Sequence, residues 1–325
     1  MGKNIYVGVD VGGTKILATV YKLDDNYKLL GKAKLKTPYG ASNDEVIKQV
    51  EAAVNQSIEA SNVKLKKISA IGIGVPGTTD IFKGHVQFAA NLGWKDLPLK
   101  TILEKSFSRP VFVDNDVNLG ILGEQQFGVA KNVDNVVGVF WGTGIGGGII
   151  IHGKPVYGNT FTAGEIGHLI LEKDGQTCGC GNQGCLETFS AKWAISQAID
   201  EAIQKGQTST IKPASDGKKS PVLKSKVIKQ GYDSDDALVK QIMQRAVDYL
   251  GLALANVVNL LNPQMIVLGG GMIEAMEDVL MPKITEAVNK HTIPFASVDI
   301  KPAILGDYAV VLGAAGFAKL QLQRF

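Results

Sequence analysis

The chain contains a compact set of metal-binding residue types. Its three cysteines, Cys178, Cys180 and Cys185, lie within eight residues, and His168 precedes them by ten. Zinc binds thiolate sulfur and imidazole nitrogen in a tetrahedron, so three cysteines and one histidine fill every position and predict a structural site. Glycines between the cysteines let a loop wrap closely around an ion. The alternative is three free thiols in a turn, with His168 serving another purpose.

Two glycine-rich turns could bind phosphate groups. Residues 10–15 read DVGGTK and residues 142–148 read GTGIGGG. Backbone N–H groups that no side chain obstructs can surround phosphate oxygens, and Thr14, Lys15 and Thr143 add further donors. Asp10 could hold a hydrated Mg²⁺ beside the phosphates. Both turns lead into a strand, whereas P-loop and dinucleotide motifs require a helix there. The alternative is two tight hairpins without a ligand.

Several carboxylates could take part in acid–base chemistry or sugar binding. Asp116 follows a predicted strand in the run DND, where it could take a proton from an attacking hydroxyl. The alternative for this run is the N-cap of the next helix. Glu165 and Glu187 flank the cysteines, and with neutral His168 they could accept hydrogen bonds from sugar hydroxyls. The alternatives are surface charge for the glutamates and a purely zinc-binding histidine.

The elements that must position these residues occur twice. A strand, a glycine turn and a second strand are predicted over residues 5–21 and again over residues 136–151. Two copies of one unit favour a duplicated, two-lobed α/β architecture over two unrelated hairpins. Other predicted strands are residues 68–75, 111–113 and 265–268, and predicted helices are residues 46–58, 237–260, 272–289 and 310–322. Small residues at 313–316 predict close backbone packing of the last helix.

Length, composition and charge exclude several classes of protein. The 325 residues suggest about two domains, and no apolar run approaches the roughly 20 residues of a membrane span. A net charge of +3 creates no field for nucleic acid. Residues 212–229 contain six lysines but no aromatic side chain to stack on bases, which predicts a solvated surface. Three cysteines without a signal peptide indicate a reducing, cytoplasmic location.

In combination, these motifs resemble the ROK family of sugar kinases and regulators. The matching stretches follow the family order along nearly the whole chain. They are residues 10–15 (DVGGTK), 74–77 (GVPG), 91–94 (NLGW), 115–118 (NDVN), 142–148 (GTGIGGG), 164–168 (GEIGH), 178–187 (CGCGNQGCLE) and 269–271 (GGG). The histidine followed by the cysteine run is highly specific to this family, whereas glycine turns alone are not.

The resemblance implies an actin-like, hexokinase-like fold of the ribonuclease H-like type, with two α/β lobes around a central cleft. Residues 1–117 and 306–325 would form the N-terminal lobe. Residues 118–305 would form the C-terminal lobe, which carries the zinc loop and the adenosine site. The resemblance also implies ATP and Mg²⁺ as co-substrates and a structural Zn²⁺.

The resemblance further implies roles for single residues, with Asp116 at the position of the catalytic base. The positions that match sugar-binding residues are Gly77, Asn91, Asn115, Glu165, His168 and Glu187. The positions that match the phosphate turns and the adenosine side are Asp10, Gly12, Gly13, Thr14, Lys15, Gly142, Thr143, Gly144, Gly270 and Gly271. His168 would touch both the zinc and the sugar, so that the metal would fix the sugar pocket.

The implied activity is phosphorylation of a hexose at its 6-hydroxyl. The GEIGH run and the zinc loop resemble the glucokinase branch more than the fructokinase branch, so glucose and a role in glycolysis are expected. Alternative acceptors are N-acetylmannosamine, N-acetylglucosamine, fructose and mannose, and polyphosphate is an alternative donor. The expected partners are a small sugar and further copies of the chain in a homodimer or homotetramer, with neither nucleic acid nor membrane.

Two alternatives are proteins without catalytic activity. Some family members are sugar-responsive repressors with an N-terminal helix-turn-helix domain, but here the first phosphate motif already starts at Asp10. A catalytically idle sugar-binding protein is the other alternative. The presence of Asp116 and of both glycine turns argues against it.

Overall fold

The computed structural model describes residues 4–24, 26–38, 40–211 and 222–323 as a mixed α/β chain. The strands are β1 (Ile5–Val11), β2 (Lys15–Leu23), β3 (Tyr27–Lys36), β4 (Ala70–Val75), β5 (Thr78–Asp80), β6 (His85–Ala89), β7 (Trp94–Leu97), β8 (Val111–Asn115), β9 (Val136–Trp141), β10 (Ile145–Ile151), β11 (Lys154–Pro155), β12 (Met265–Gly269) and β13 (Asp299–Pro302). The helices are α1 (Asn43–Ala60), α2 (Leu99–Phe107), α3 (Asp116–Phe127), α4 (Glu187–Ser190), α5 (Lys192–Gln204), α6 (Ser225–Asp233), α7 (Ala237–Leu261), α8 (Gly271–His291) and α9 (Ala309–Leu322). Every strand and helix predicted above is present.

The first sheet places several candidate residues at one edge. Its strand order is β3-β2-β1-β4-β8, with β1 antiparallel to β2 and parallel to β4, and β4 parallel to β8. Asp10 pairs with Gly74, and Gly74 pairs with Asp114. The carboxyl ends of the three parallel strands therefore bring Asp10 and the DND run to the same end of the sheet.

The second sheet repeats the order of the first. Its strands are ordered β11-β10-β9-β12-β13. As in the first sheet, an antiparallel hairpin comes first and two strands parallel to its opening strand follow. This shared order supports the predicted duplication. The second glycine turn is shorter than predicted, because β10 already begins at Ile145.

The helix α9 packs against the first sheet and α3 at positions that only glycine allows. A Cβ at Gly8 would lie 1.7 Å from the carbonyl oxygen of Val311, and one at Gly72 would lie 1.9 Å from that of Ala314. On α9 itself, a Cβ at Gly313 would lie 1.8 Å from the carbonyl oxygen of a residue on α3. The predicted close packing of residues 313–316 is confirmed.

The chain divides into two compact units. Unit 1 comprises the described parts of residues 1–134, 148–163 and 304–325, and unit 2 those of residues 135–147 and 164–303. These units differ from the predicted lobes, which were residues 1–117 with 306–325 and residues 118–305. The difference lies mainly in residues 118–134 and 148–163, which belong to unit 1. The first of these stretches includes most of α3, which packs against α9.

Two predictions concern the surface of the molecule. Of the lysine-rich stretch at residues 212–229, residues 212–221 lie outside the described residues, and α6 covers much of the rest. Within the ranges given above, no helix combines the length and apolar character needed to cross a bilayer.

Candidate active site and metal centre

Asp116 is the first residue of α3 and lies half-buried at the positive end of the helix. The preceding Asn115 caps this helix, since its side-chain oxygen accepts the N–H groups of Val117 at 2.8 Å and Asn118 at 3.1 Å. One carboxylate oxygen of Asp116 also accepts the N–H of Val117, at 2.9 Å. The capping role therefore belongs to Asn115, and the Asp116 carboxylate is held at the start of the helix.

A second carboxyl lies beside Asp116 and was given no role above. Asp114 is 1% exposed. It accepts the hydroxyl of Tyr157 at 2.7 Å, the N–H of Asn115 at 2.6 Å and the amide of Asn118 at 3.3 Å. Burial raises the pKa of Asp114 to about 7 despite these donors. The position of Asp114 at the end of a predicted buried strand could have marked it as a candidate residue. The sequence does not show that the hydroxyl of Tyr157 contacts this carboxylate.

Asp10 lies at the same edge of the first sheet. Burial, and then the charge of Asp116, raise the pKa of Asp10 to about 7, although Lys15 opposes this shift. The ammonium of Lys15 lies 2.7 Å from Asp307, whose other oxygen is 3.7 Å from Lys34. These surroundings destabilise the charged form of Asp10, and a bound cation would stabilise that form. Because Mg²⁺ prefers carboxylate oxygens, Asp10 suits Mg²⁺.

The first glycine turn is held through its carbonyl groups. The hydroxyl of Thr37 donates to the Gly12 carbonyl at 2.6 Å, and the N–H of Thr37 donates to the Thr14 carbonyl at 3.1 Å. The N–H of Gly12 donates to the carbonyl of Lys15 at 2.9 Å. Gly13 and Thr14 are exposed, which leaves them accessible to a ligand.

Three predicted sugar-binding positions of unit 1 contact candidate residues of the same unit. A Cβ at Gly13 would lie 3.6 Å from the Cβ of Asn91, so the first turn and Asn91 are neighbours. The side-chain amide of Asn115 donates to the Gly77 carbonyl at 3.0 Å. Gly77 has a φ of +86°, and a Cβ there would lie 2.1 Å from the carbonyl oxygen of Phe88. The positive φ and the close approach of Phe88 thus both require glycine at position 77.

The four predicted metal ligands lie together in unit 2. Their ligand atoms are within 4.8 Å of one another. The distance between the sulfurs of Cys180 and Cys185 is 3.7 Å, and the sulfur of Cys178 is 3.6 Å from Nδ1 of His168. Zinc–ligand bonds of about 2.3 Å to sulfur and 2.0–2.1 Å to nitrogen give tetrahedral edges of about 3.8 and 3.6 Å. The donor types and spacing fit zinc.

The orientation of His168 changes one expectation. Because Nδ1 faces the thiols, Nε2 is the nitrogen left for another partner, and it would carry the proton of the neutral ring whenever Nδ1 binds a metal. With zinc on Nδ1, His168 would donate a hydrogen bond to a sugar oxygen rather than accept one. Burial raises the pKa of the Cys185 thiol to about 12. Zinc binds thiolate, so its binding would have to displace this proton.

Glu187 opens α4 directly after the cysteine loop, and both of its carboxylate oxygens are engaged. One accepts the N–H of Ile145 at 3.2 Å, and the other accepts the indole N–H of Trp193 at 3.2 Å. Desolvation raises the pKa of Glu165, His168 lowers it and the charge of Glu187 adds to the increase. The three predicted sugar-binding residues of unit 2 therefore lie within electrostatic reach of one another.

The second glycine turn, like the first, is held through its carbonyl groups. The N–H of Lys192 donates to the Gly142 carbonyl at 3.1 Å, and the N–H of Trp193 donates to the Thr143 carbonyl at 3.3 Å. The N–H of Gly142 donates to the Gly144 carbonyl at 2.9 Å. The start of α5 therefore fixes the turn, and Thr143 is exposed. The sequence did not indicate this use of Trp193.

Gly270 and Gly271 lie between β12 and α8. Gly270 has a φ of +88°, and a Cβ there would lie 2.6 Å from the carbonyl oxygen of Trp141, the residue before the second turn. Gly271 is the first residue of α8. The structure therefore brings the predicted adenosine-side glycines next to the second glycine turn.

Comparison with known proteins gives consistent matches over most of the chain. The sequence pattern of the ROK family matches residues 6–321. The glucokinase of Halalkalibacterium halodurans is 33% identical over 324 residues, which are 99% of this chain and 97% of the relative. A xylose repressor of Caldicellulosiruptor bescii is 31% identical over 276 residues, which are 84% of this chain and 68% of the repressor.

A solved structure gives the same indication. The crystal structure of a ROK family glucokinase from Streptomyces griseus in complex with glucose and AMPPNP superposes with a TM-score of 0.78. Its sequence is 28% identical, and the match covers 97% of this chain and 99% of that one.

Proposed function

The chain belongs to the ROK family, and on that basis we propose that it is a glucokinase, which transfers the γ-phosphoryl group of ATP to the 6-hydroxyl of glucose. Its fold is the actin-like α/β fold predicted from the sequence. The observation that carries the proposal is the placement of Asp116, whose carboxylate is held at the start of α3 beside Asp10.

Asp116 is the proposed general base. It would accept the proton of the 6-hydroxyl as the oxygen attacks phosphorus, while Asn115, fixed by Gly77, would orient the sugar. The charge of Asp116 also contributes to the raised pKa of both Asp10 and Asp114.

The phosphate groups would be held by the two glycine turns. Gly13, Thr14, Thr143 and Gly144 would offer backbone and hydroxyl donors. The N–H groups of Gly12 and Gly142 close the turns, and these two glycines would leave room for the phosphates to approach. Asp10 suits Mg²⁺, which neutralises phosphate charge when bound. Lys15 would bind a phosphate oxygen once it leaves Asp307. Gly270 and Gly271 would lie on the adenosine side.

In unit 2, Glu165, Glu187 and His168 are the proposed sugar-binding residues, and Asn91 is a further one in unit 1. The glutamates would accept hydrogen bonds from sugar hydroxyls, and Nε2 of His168 would donate one. Zinc would be held by His168, Cys178, Cys180 and Cys185. With every ligand position filled by protein, the metal would keep the loop folded and take no part in the chemistry.

A metabolic role and an oligomeric assembly are also proposed. Glucose 6-phosphate would enter glycolysis, and the chain would assemble into a homodimer or homotetramer without nucleic acid. A second candidate function, a sugar-responsive regulator, is supported by the similarity to the xylose repressor. A regulator would bind sugar without transferring phosphate.

The deciding experiment measures ADP release from Mg-ATP with glucose, mannose, fructose, N-acetylglucosamine and N-acetylmannosamine. Glucose should give the highest kcat/KM. Asp116→Asn should lower kcat by about 10²- to 10⁴-fold while glucose still binds, because the substitution removes only the base. If the folded wild-type protein binds a sugar but releases no ADP with any of them, the proposal of an ATP-dependent kinase is wrong, and another phosphoryl donor or the regulator is favoured.

A further inference from the structure

One carboxylate of unit 2 belongs to a proposed sugar-binding residue and also contacts the second glycine turn. Glu187 accepts the N–H of Ile145, which directly follows the turn, and a Cβ at Gly144 would lie 3.0 Å from the same oxygen. The charge of Glu187 also acts on Glu165, a second proposed sugar-binding residue. A change in the orientation of the Glu187 carboxylate would therefore alter its interactions with both the second glycine turn and the sugar-binding residues.

Trp193 holds both the carboxylate and the turn. Its indole N–H donates to Glu187 at 3.2 Å, while its main-chain N–H donates to the carbonyl of Thr143 at 3.3 Å. The backbone of α4 is fixed separately, since the hydroxyl and N–H of Thr188 donate to the carbonyl of Cys185 at 2.8 and 2.9 Å. The cysteine loop thus fixes the main chain near Glu187, and Trp193 fixes the end of its side chain.

We propose that Trp193 is a positioning residue, which orients the Glu187 carboxylate and thereby couples sugar binding to phosphate binding at the second glycine turn. This inference rests on the proposed function. A carboxylate has about four lone-pair sites, so two N–H donors leave two sites for sugar hydroxyls. Without the indole N–H, the carboxylate turns about its last torsion, which has broad minima, and loses its alignment with both groups.

Trp193→Phe tests this role, because it retains an aromatic ring and removes the N–H donor. Trp94→Phe is a matched control, since the indole N–H of Trp94 is buried and has no hydrogen-bond partner in the part of the chain that the structure describes. Calorimetry would give the glucose Kd of each variant with and without AMPPNP, a non-hydrolysable ATP analogue. Zinc content and thermal unfolding would show that each variant is folded.

The expected result is a loss of both affinity and coupling in Trp193→Phe. Its glucose Kd should rise about tenfold, as for one lost hydrogen bond to a charged group, and AMPPNP should no longer change that Kd. The wild type and Trp94→Phe should bind glucose more tightly with AMPPNP than without it. A folded Trp193→Phe with the wild-type Kd and the wild-type response to AMPPNP would overturn the inference and leave the kinase proposal intact.

A measurement on the unmodified side chain covers the case in which Trp193→Phe does not fold. The chain has three tryptophans, so its ¹H–¹⁵N spectrum has three indole signals. Those of Trp94 and Trp141 are assigned by their absence in Trp94→Phe and Trp141→Phe, and the remaining signal is that of Trp193. Glucose should move the Trp193 signal and leave the Trp94 signal in place. If glucose binds and moves no indole signal, the inference is wrong. If the wild type binds no glucose, the proposed function fails and the inference fails with it.

Discussion

At the scale of single residues, Asp114 shows how burial acts on one carboxyl group. It is nearly inaccessible to water, and three donors contact it, yet its pKa is raised to about 7. The folded chain therefore keeps a proton that the unfolded chain releases near pH 4. The difference in bound protons makes the stability of the fold depend on pH between these values.

We expect Asp114→Asn to weaken this dependence. A raised folded-state pKa contributes stability below the unfolded-state pKa, and that contribution is lost as pH rises from about 4 to about 7. A shift of this size corresponds to about 4 kcal/mol at most. Urea unfolding at pH 5 and pH 8 should show a smaller loss of stability in Asp114→Asn than in the wild type. Asp96→Asn, at an exposed position, is the control. Equal losses in all three proteins would show that Asp114 carries no such effect.

The sequence was sufficient to predict arrangements that depend on neighbours along the chain. The side chains of His168 and the three cysteines lie together as expected, and the DND run supplies a helix cap, because such a loop and such a cap are local. Side chains that meet across the fold could not be found in this way. Asp114 and Tyr157 are 43 residues apart, and Lys15 and Asp307 are 292 residues apart. Only the packing of the elements brings such pairs together.

At the scale of elements, glycines set the distance between α9 and its neighbours. Gly313→Ala would place a methyl group where the α3 carbonyl of Leu119 now lies, 1.8 Å away. Because a backbone atom cannot give way easily, α9 must shift, and overpacking of this kind costs about 1–3 kcal/mol or more. Thermal unfolding should show a clear destabilisation. Leu320→Ala, on the same helix and 39% exposed, should change stability little. A stable Gly313→Ala would contradict the packing described for α9.

The cysteine loop permits a second test at this scale. Cys180→Ser removes one of the four proposed zinc ligands, so the purified protein should lose stoichiometric zinc, as measured by elemental analysis. Glucose affinity should fall with it, because His168 and Glu187 adjoin the loop. Ser106→Ala, a change in α2 of unit 1, should retain the metal. A wild-type protein purified without zinc would contradict the proposed metal site.

The elements missing from the sequence predictions include the helices α2, α5 and α6, several short strands and one edge strand. The strands β5, β6 and β7 have three to five residues each, which is too short for a clear hydrophobic pattern. The strand β3 is longer, but it lies at the edge of its sheet and is mostly exposed and lysine-rich. Charged edge strands of this kind avoid pairing with other chains, and they resemble loops in composition.

At the scale of the whole molecule, the chain leaves and re-enters unit 1. Residues 304–325 belong to unit 1 although unit 2 precedes them. A chain ending at residue 303 would leave Gly8 and Gly72 without the helix that packs on them. We expect this truncated chain to lack hydrogen-exchange protection in β1 and β4. Adding a peptide of residues 304–325 should restore it. Full protection in the truncated chain alone would show that unit 1 forms without α9.

The position of α9 in the chain also determines the order of events during synthesis. The 140 residues from 164 to 303 leave the ribosome before the segment that completes unit 1. At about 5–20 residues per second, synthesis of these residues alone takes about 7–28 s, during which the α9-facing side of the first sheet is uncovered. That interval is long compared with hydrophobic collapse, which takes microseconds. The nascent chain thus presents an apolar surface for many seconds, a natural target for chaperones that act at the ribosome.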